Sequence, residues 1–329
     1  MPQGWKQKST ATMEPTIEAK TQPDTSAMEQ IEVFKPEQPT RSLDELIVPA
    51  NVRSQIEVAL NRIRYHKVLY YEWNLRKVDP QGSRVAINFF GPPGTGKTFG
   101  AEAIANYLGK QIIKVNYAEI ESKYVGETPK QIKAGFARAS ETGAVLFFDE
   151  ADAILGKRLT NITQSADHGV NVSRAVMLLE LDNFDGIVIF ASNLPRNYDG
   201  AFVRRILAHI EFELPDISCL KKLWEYLLPV EVPRANDVTP EWLAQQSTGL
   251  AGGDILNVVR LATSSAVSRI DGDRFVIQSD IEEAMIQVRS GKEKIGSSTP
   301  IIKERIIPTE KLPSDVKDDY QKVVSQDKE

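Results

Sequence analysis

Apolar positions along this chain follow two rhythms. Five short runs are apolar along most of their length and rich in Val, Ile and Phe: RVAINFF (84–90), QIIKVNY (111–117), AVLFFDE (144–150), GIVIFASN (186–193) and HIEFEL (209–214). Longer stretches with helical spacing separate them, among them KTFGAEAIANYLG, TPKQIKAGFARASE and NVSRAVMLLELDNF. A strand that is apolar on both faces has to be covered on both faces. Its alternation with helices therefore predicts an α/β fold with a parallel sheet between helical layers. After Pro215 the strand signals nearly vanish, and SCLKKLWEYLL, TPEWLAQQS, GDILNVVRLATSSAVSRI and SDIEEAMIQVR read as helices, with Ser279 and Asp280 as the start signal of the last. The ends are rich in polar and charged residues and cannot bury enough surface to order themselves. The expected organisation is a disordered arm over 1–40, a large α/β domain over 41–215, a small helical domain over 216–295 and a charged, flexible tail over 296–329.

Composition narrows the chemistry. The 329 residues are 41% hydrophobic and 26% charged, ordinary for a globular protein with a sizeable core. A formal net charge of −5 argues against a general affinity for nucleic acid. A single cysteine, Cys219, leaves no intrachain disulfide and reads as an inert, partly buried thiol. His66, His168 and His209 lack ligand spacing, so no structural metal site is expected. No run approaches membrane-spanning length and the first residues lack an apolar signal-like stretch, so the expected location is cytoplasmic.

Three motifs carry chemistry. GPPGTGKT (91–98) follows the first apolar run and opens a helix, the context that the phosphate-binding G-x-x-x-x-G-K-[ST] loop requires. Gly91, Pro92, Pro93, Gly94, Thr95, Gly96, Lys97, Thr98 and Phe99 are its candidate nucleotide contacts. Backbone N–H groups of such a loop face an anion, Lys97 reaches the β- and γ-phosphates, and the Thr98 hydroxyl holds Mg²⁺. VLFFDEAD (145–152) ends a strand in two acids, placing Asp149 to bind Mg²⁺ and Glu150 to polarise an attacking water. FASNLPRNYDGAFVRRILAHIEFELPD (190–216) sets Asn193 at another strand end, beside the expected γ-phosphate. Arg204 and Arg205 follow; an adjacent arginine pair is by default a solvated helix end, with a catalytic role only if another subunit's nucleotide comes near.

Taken in order, GPPGTGKT, FFDEAD, ASNLP, DGAFVRRI, ELPD and TGLAGGDILNVVRLA resemble the AAA family of ATPases over about residues 41 to 290, and are most similar to the subgroup of the ESCRT disassembly ATPase, katanin and spastin. The resemblance implies sheet order 5-1-4-3-2, a helical lid, ATP and Mg²⁺ as ligands, and a homo-hexameric ring with nucleotide between subunits. It makes Asn193 the first sensor and Arg204 and Arg205 arginine fingers acting in trans. Gly252 and Gly253 fall where the lid closes over base and ribose, and Ile47 and Val48 where the adenine pocket begins. Ala251-Gly252-Gly253 replaces the family's usual Ser-Gly-Ala, and the upstream segment lacks the glycine that often follows the isoleucine. GKRLTNITQSADHGVNVSR lies where a second pore loop stands, with His168 as a polar loop residue.

Within EIESKYVGETPKQ, the residues Lys123, Tyr124, Val125 and Gly126 are similar to the first pore loop of protein-translocating AAA ATPases, whose aromatic grips an extended polypeptide. The implied function is an ATP-driven ring that threads, remodels or disassembles a protein substrate. A nucleic-acid motor or loader, and an ATP-stabilised scaffold capping another assembly, are the alternatives. The acidic balance counts against the first, and the intact Asp149–Glu150 and arginine pairs against the second.

Overall fold

The computed structural model describes residues 34–295 apart from 81, 83, 124–126, 158–164, 194–197 and 271. Five parallel strands form its centre: β1 (Val85–Phe90), β2 (Ile112–Asn116), β3 (Val145–Asp149), β4 (Ile187–Ser192) and β5 (Ala208–Glu211). They lie in the order β2-β3-β4-β1-β5, the expected 5-1-4-3-2 read from the other edge. Each strand falls within its apolar run except that β5 starts one residue earlier, and the ends are trimmed. Tyr117, for example, begins a helix, α3 (Tyr117–Lys123), where the Asn116 side chain accepts the Glu119 N–H at 3.1 Å.

The pleat explains why the strands are apolar throughout. Ala86, Ile113, Val115, Leu146, Phe148, Val188 and Phe190 face one layer, built from α4 (Thr128–Thr142) and α6 (Ser165–Asn183). Ile87, Phe89, Ile112, Val145, Phe147, Ile189 and Ile210 face the other, built from α1 (Ala50–Arg64) and α2 (Lys97–Tyr107). Each face is dry, so neither can carry the polar alternation of a half-exposed sheet. Phe148 and Phe190 stack within the first core at 5.5 Å between ring centroids. Because all five strands run the same way, Gly91, Glu150 and Asn193 leave the sheet at one edge, the edge where ligands bind in such folds.

After β5 the chain becomes helical. α8 (Ile217–Leu227), α9 (Pro240–Gln246), α10 (Gly252–Val267) and α11 (Gln278–Ile295) share a separate core around Leu220, Trp224, Leu243, Ile255, Val258 and Ile281. Trp224 Nε1 donates to Ser247 Oγ at 2.9 Å inside that core. Ser279 and Asp280 sit inside the first turn of α11 rather than before it. Asp280 accepts the Ile277 N–H at 2.9 Å and pairs with Arg269 at 2.6 Å. Cys219 is buried, and burial is the main cause that raises its thiol pKa.

The arm expected over 1–40 begins its structure earlier than composition suggests. Residues 1–33 lie outside the described ones, but Phe34 is buried at 1% exposure against Gly135 of α4. Glu37 exchanges two backbone hydrogen bonds with Ile112 at 2.8 and 3.0 Å, covering the β2 edge. One aromatic and one backbone pairing suffice here because the sheet supplies the partner surface. The tail 296–329 lies outside the described residues. No described helix is long and apolar enough to cross a membrane.

Candidate active site

Six residues separate β1 from α2, and glycines let them turn tightly. Gly91 has φ +136°, Gly94 φ +77° and Gly96 φ +99°, values that L side chains rarely adopt. Lys97 opens α2 and is buried to 7% exposure. Its Nζ donates to the Gly91 and Pro92 carbonyls, each at 2.8 Å. Burial pushes its pKa down to about 8, against the opposing pull of Asp149 and Asp152. A cation thus stands beneath a loop at a helix N-terminus, where free N–H groups already favour an anion. Thr95 folds its hydroxyl back onto the Pro92 carbonyl at 2.9 Å, and the Arg41 guanidinium lies 5.1 Å over the Phe99 ring.

The acids of β3 complete the constellation. Asp149 Oδ2 accepts the Thr98 hydroxyl at 2.9 Å, and its Oδ1 accepts the Glu150 N–H at 2.9 Å. Glu150 has φ +53°, a left-handed conformation that costs a non-glycine residue about 1 kcal/mol or more. That turn releases the Glu150 carboxylate from the strand line at the sheet edge. From β4, Ser192 Oγ donates to Asp152 Oδ1 at 2.5 Å and the Asn193 N–H to Asp152 Oδ2 at 3.3 Å. Asp152 belongs to the short helix α5 (Asp152–Leu155), so β3 and β4 are tied together behind the acids. Pro93, Gly94, Gly96, Lys97, Thr98, Phe99, Asp149, Glu150 and Asn193 line one cavity of about 360 Å³. Residues from three separate motifs meet in it.

A second, more apolar cavity of about 260 Å³ adjoins the first through Gly94, Gly96 and Phe99. Ile47 and Val48 line it on one side, and Gly252 and Gly253 on the other. Leu223, Tyr226 and Leu227 of α8 and Leu256 of α10 also line it. None of these four was picked out from the sequence, although the apolar stripe of α8 is long enough to serve both its own core and this wall. The smallness of Gly253 serves the loop itself. Its N–H donates to the Gly94 carbonyl at 3.1 Å, and a Cβ there would come within 3.3 Å of Gly94 Cα. An apolar slot continuous with a cavity at a helix N-terminus has the two-part character that a nucleotide site requires, apolar for a base and cationic for phosphates.

Neither Arg204 nor Arg205 lines these two cavities. Both lie on α7 (Gly200–Arg205), capped by the Asp199 carboxylate on the Ala201 N–H at 2.9 Å. Arg205 makes a two-pronged pair with Asp182 at 2.8 and 2.8 Å, which raises the arginine pKa and lowers the aspartate pKa. Arg204 bonds only back to its own helix, Nε to the Gly200 carbonyl at 3.1 Å, among the contacts of the described residues. Tyr124, Val125 and Gly126 lie outside the described residues, as do the side chains of Lys123 and His168 and the segment 158–164. Among the described residues no group of three or more His, Cys, Asp or Glu could hold a metal by itself.

Residues 87–214 match the sequence profile of the ATPase family associated with various cellular activities (AAA). This part of the chain is an AAA ATPase domain. Curated relatives include the katanin p60 ATPase-containing subunit A1 of Strongylocentrotus purpuratus, 34% identical over 54% of this chain and 36% of that protein. A cell division cycle protein 48 homologue of Archaeoglobus fulgidus is 32% identical over 73% of this chain and 34% of its own length. A proteasome-activating nucleotidase of Aeropyrum pernix is 33% identical over 65% and 53%, respectively. The chain therefore spans between about a third and a half of the length of these relatives. A solved structure titled "Structural Basis for Katanin Self-Assembly" superposes with a TM-score of 0.63 at 23% identity, covering 82% of this chain and 92% of that one. At that identity the likeness concerns the AAA fold alone, whose strand order this chain shares.

Proposed function

We propose that the AAA domain binds ATP with Mg²⁺ and hydrolyses it at a site completed by a second copy of the chain, and that the resulting motion remodels a polypeptide substrate. The observation that carries this is the 360 Å³ cavity, which gathers Lys97, Thr98, Asp149, Glu150 and Asn193 but neither arginine. A site built to break a phosphoanhydride concentrates negative charge, and among the described residues Lys97 is the one cation that lines it. An adjacent arginine pair on an exposed helix, away from its own subunit's cavity, is equipped to supply further charge stabilisation to a neighbour's site.

The chain's own groups divide the work. Lys97 exchanges its two loop carbonyls for phosphate oxygens, gaining a counter-charge for a buried ammonium. Thr98 and Asp149, already 2.9 Å apart, offer oxygen donors of the kind a hard divalent cation takes. Mg²⁺, when bound there, neutralises charge on the β- and γ-phosphates. Glu150, turned out of β3, orients and polarises water for in-line attack, and Asn193 holds that water from the β4 side. Ile47, Val48, Tyr226 and Gly252 surround the base. The ring and the polypeptide substrate rest on the relatives and on Tyr124 and Val125, flanked by Lys123 and Gly126, as a gripping loop; a soluble, cytoplasmic setting suits that role.

The shared site is tested by mixing two variants. Arg204→Ala/Arg205→Ala keeps its hydrolytic residues and lacks the donated charges; Glu150→Gln keeps the arginines and lacks the catalytic carboxylate. Each alone should release phosphate at under about 1% of the wild-type rate, in line with the thousandfold effects such groups have elsewhere. Their mixture should recover turnover. Full activity of the double arginine variant alone would refute sharing.

A further inference from the structure

The hydrolytic reading leaves unused a set of polar side chains that meet inside the sheet. Asn88 stands in the middle of β1 with 0% exposure, in a strand that is otherwise apolar. Its register partner on β5 is His209. The Asn88 amide nitrogen lies 3.4 Å from His209 Nδ1 and 3.4 Å from the Tyr198 hydroxyl. Its Oδ1 is buried and has no partner among the described residues. A parallel sheet does not need an amide at its centre, and a half-satisfied one is costly, so a local packing role explains it poorly.

Both ends of this set reach groups with a role in the proposed chemistry. On one side Ser192 also hydrogen-bonds the Tyr198 hydroxyl, and Ser192 is the donor to Asp152, which in turn holds the Asn193 N–H. The Tyr198 backbone bridges to Gly156 just after α5, and the next residue, Asp199, donates its N–H to the Leu155 carbonyl at 2.9 Å while its carboxylate caps α7. On the other side His209 Nε2 lies 3.4 Å from the Val203 carbonyl, one residue before Arg204. A His209 ring with its proton on Nε2 donates to Val203 and accepts from Asn88, satisfying both contacts. A continuous polar path thus runs from the nucleotide-facing ends of β3 and β4 to the helix that bears the arginines.

We propose that Tyr198, Asn88 and His209 are positioning residues that couple the hydrolytic centre of one subunit to the arginine helix α7 that this subunit offers to its neighbour. The proposal rests on the reading of Arg204 and Arg205 as acting in trans. Asn88 supplies the element with two arrangements. Its amide now donates to Tyr198; turned by half a rotation, its partnerless oxygen takes the same place and accepts the Tyr198 hydroxyl proton. A shift of Ser192 and Asn193 as γ-phosphate binds re-aims the Tyr198 hydroxyl, the amide follows, and the pull on His209 and the Val203 carbonyl sets α7 for the neighbour, a state that an ATP-bound Glu150→Gln donor holds. Two discrete hydrogen-bonded states of one buried side chain are what coupling between distant sites requires.

The mixing experiment reads this directly. Arg204→Ala/Arg205→Ala subunits supply the only working hydrolytic sites, and Glu150→Gln subunits supply the only arginines. The added substitution is placed in the arginine donor alone, whose own site is already silent. Asn88→Leu or Tyr198→Phe in the donor should lower the recovered phosphate release about three- to tenfold, the range expected for losing one or two hydrogen bonds. The loss should appear in kcat with KM for ATP unchanged. His209→Gln, which keeps an acceptor and a donor, should recover most of the activity, whereas His209→Leu should not. Thermal melting and binding of a fluorescent ATP analogue by each donor check that it folds. If the buried Asn88 variant does not, Tyr198→Phe and the His209 pair, at partly exposed positions, carry the test. Recovery unchanged by Tyr198→Phe and by His209→Leu overturns the proposal and leaves the shared site standing. No recovery in the mixture without added substitutions overturns the shared site, and the coupling with it.

Discussion

Lys97 gives the sharpest handle on the proposed nucleotide site, because its charge is poised rather than secure. Burial holds its pKa at about 8 against an ordinary 10.5, and only the Asp149 and Asp152 charges oppose that shift. Phosphate oxygens beside the ammonium favour its charged form, so nucleotide binding restores the proton and raises the pKa. Where the free protein has lost that proton, binding must first take it up, and affinity falls. With a free-state pKa near 8, about nine-tenths of Lys97 is charged at pH 7 and about one-tenth at pH 9, so affinity should drop about tenfold, or about 1.4 kcal/mol. Stability without nucleotide moves the opposite way. The unfolded chain holds the proton up to 10.5 while the folded one sheds it near 8, so the lysine's contribution to folding improves as pH climbs through that window. Titration with a fluorescent ATP analogue at pH 7, 8 and 9 measures the first effect. Lys97→Arg, whose guanidinium stays charged throughout, should bind with no such fall. A flat wild-type profile, or an equal fall in Lys97→Arg, would refute the reasoning.

Three other positions follow from the packing. Gly253→Val places carbon against Gly94 Cα, where even a Cβ stands at 3.3 Å, and should weaken ATP-analogue binding about tenfold with little change in Tm. Phe148→Ala empties the stacked Phe148–Phe190 core and should cost about 3–5 kcal/mol in urea unfolding. Burial raises the Asp280 pKa, but Arg269 and the Ile277 N–H more than offset it and leave the carboxyl below its ordinary range. Its stabilising contribution is therefore present above pH 3.8 and lost as pH falls below, and Asp280→Asn should cost about 2–3 kcal/mol at pH 7 and progressively less in acid.

The sheet was legible in the sequence because its strands are buried on both faces, which turns them into unbroken apolar runs such as VLFF and IVIF. The tight turn before α2 was legible because its glycines recur at fixed offsets, and Gly91, Gly94 and Gly96 do take positive φ there. Other residues depend on partners far along the chain. Phe34 is a lone aromatic in a polar stretch and finds its place only because Gly135 leaves room above α4. Tyr226 and Leu223 sit on an amphipathic helix whose apolar stripe serves two neighbours, its own core and the apolar cavity beside Gly94, and the stripe alone does not divide them. Asp152 looks like one more acid after a pair, until Ser192 and Asn193 are seen to bond to it. Arg205 reads as a twin of Arg204, yet only Arg205 is held by Asp182, a residue of α6. Asn88, the single amide in VAINFF, was the one visible irregularity in that interior strand.

The central claim is hydrolysis of ATP driven by Glu150, and phosphate release measured beside bound nucleotide tests it most directly. Wild-type protein with Mg²⁺ and ATP should turn over. Glu150→Gln, which keeps the size and backbone of the residue, should bind ATP with affinity within about threefold and release phosphate at least about a hundredfold more slowly, the scale of losing a general base. Phosphate release by Glu150→Gln at close to the wild-type rate would contradict the account.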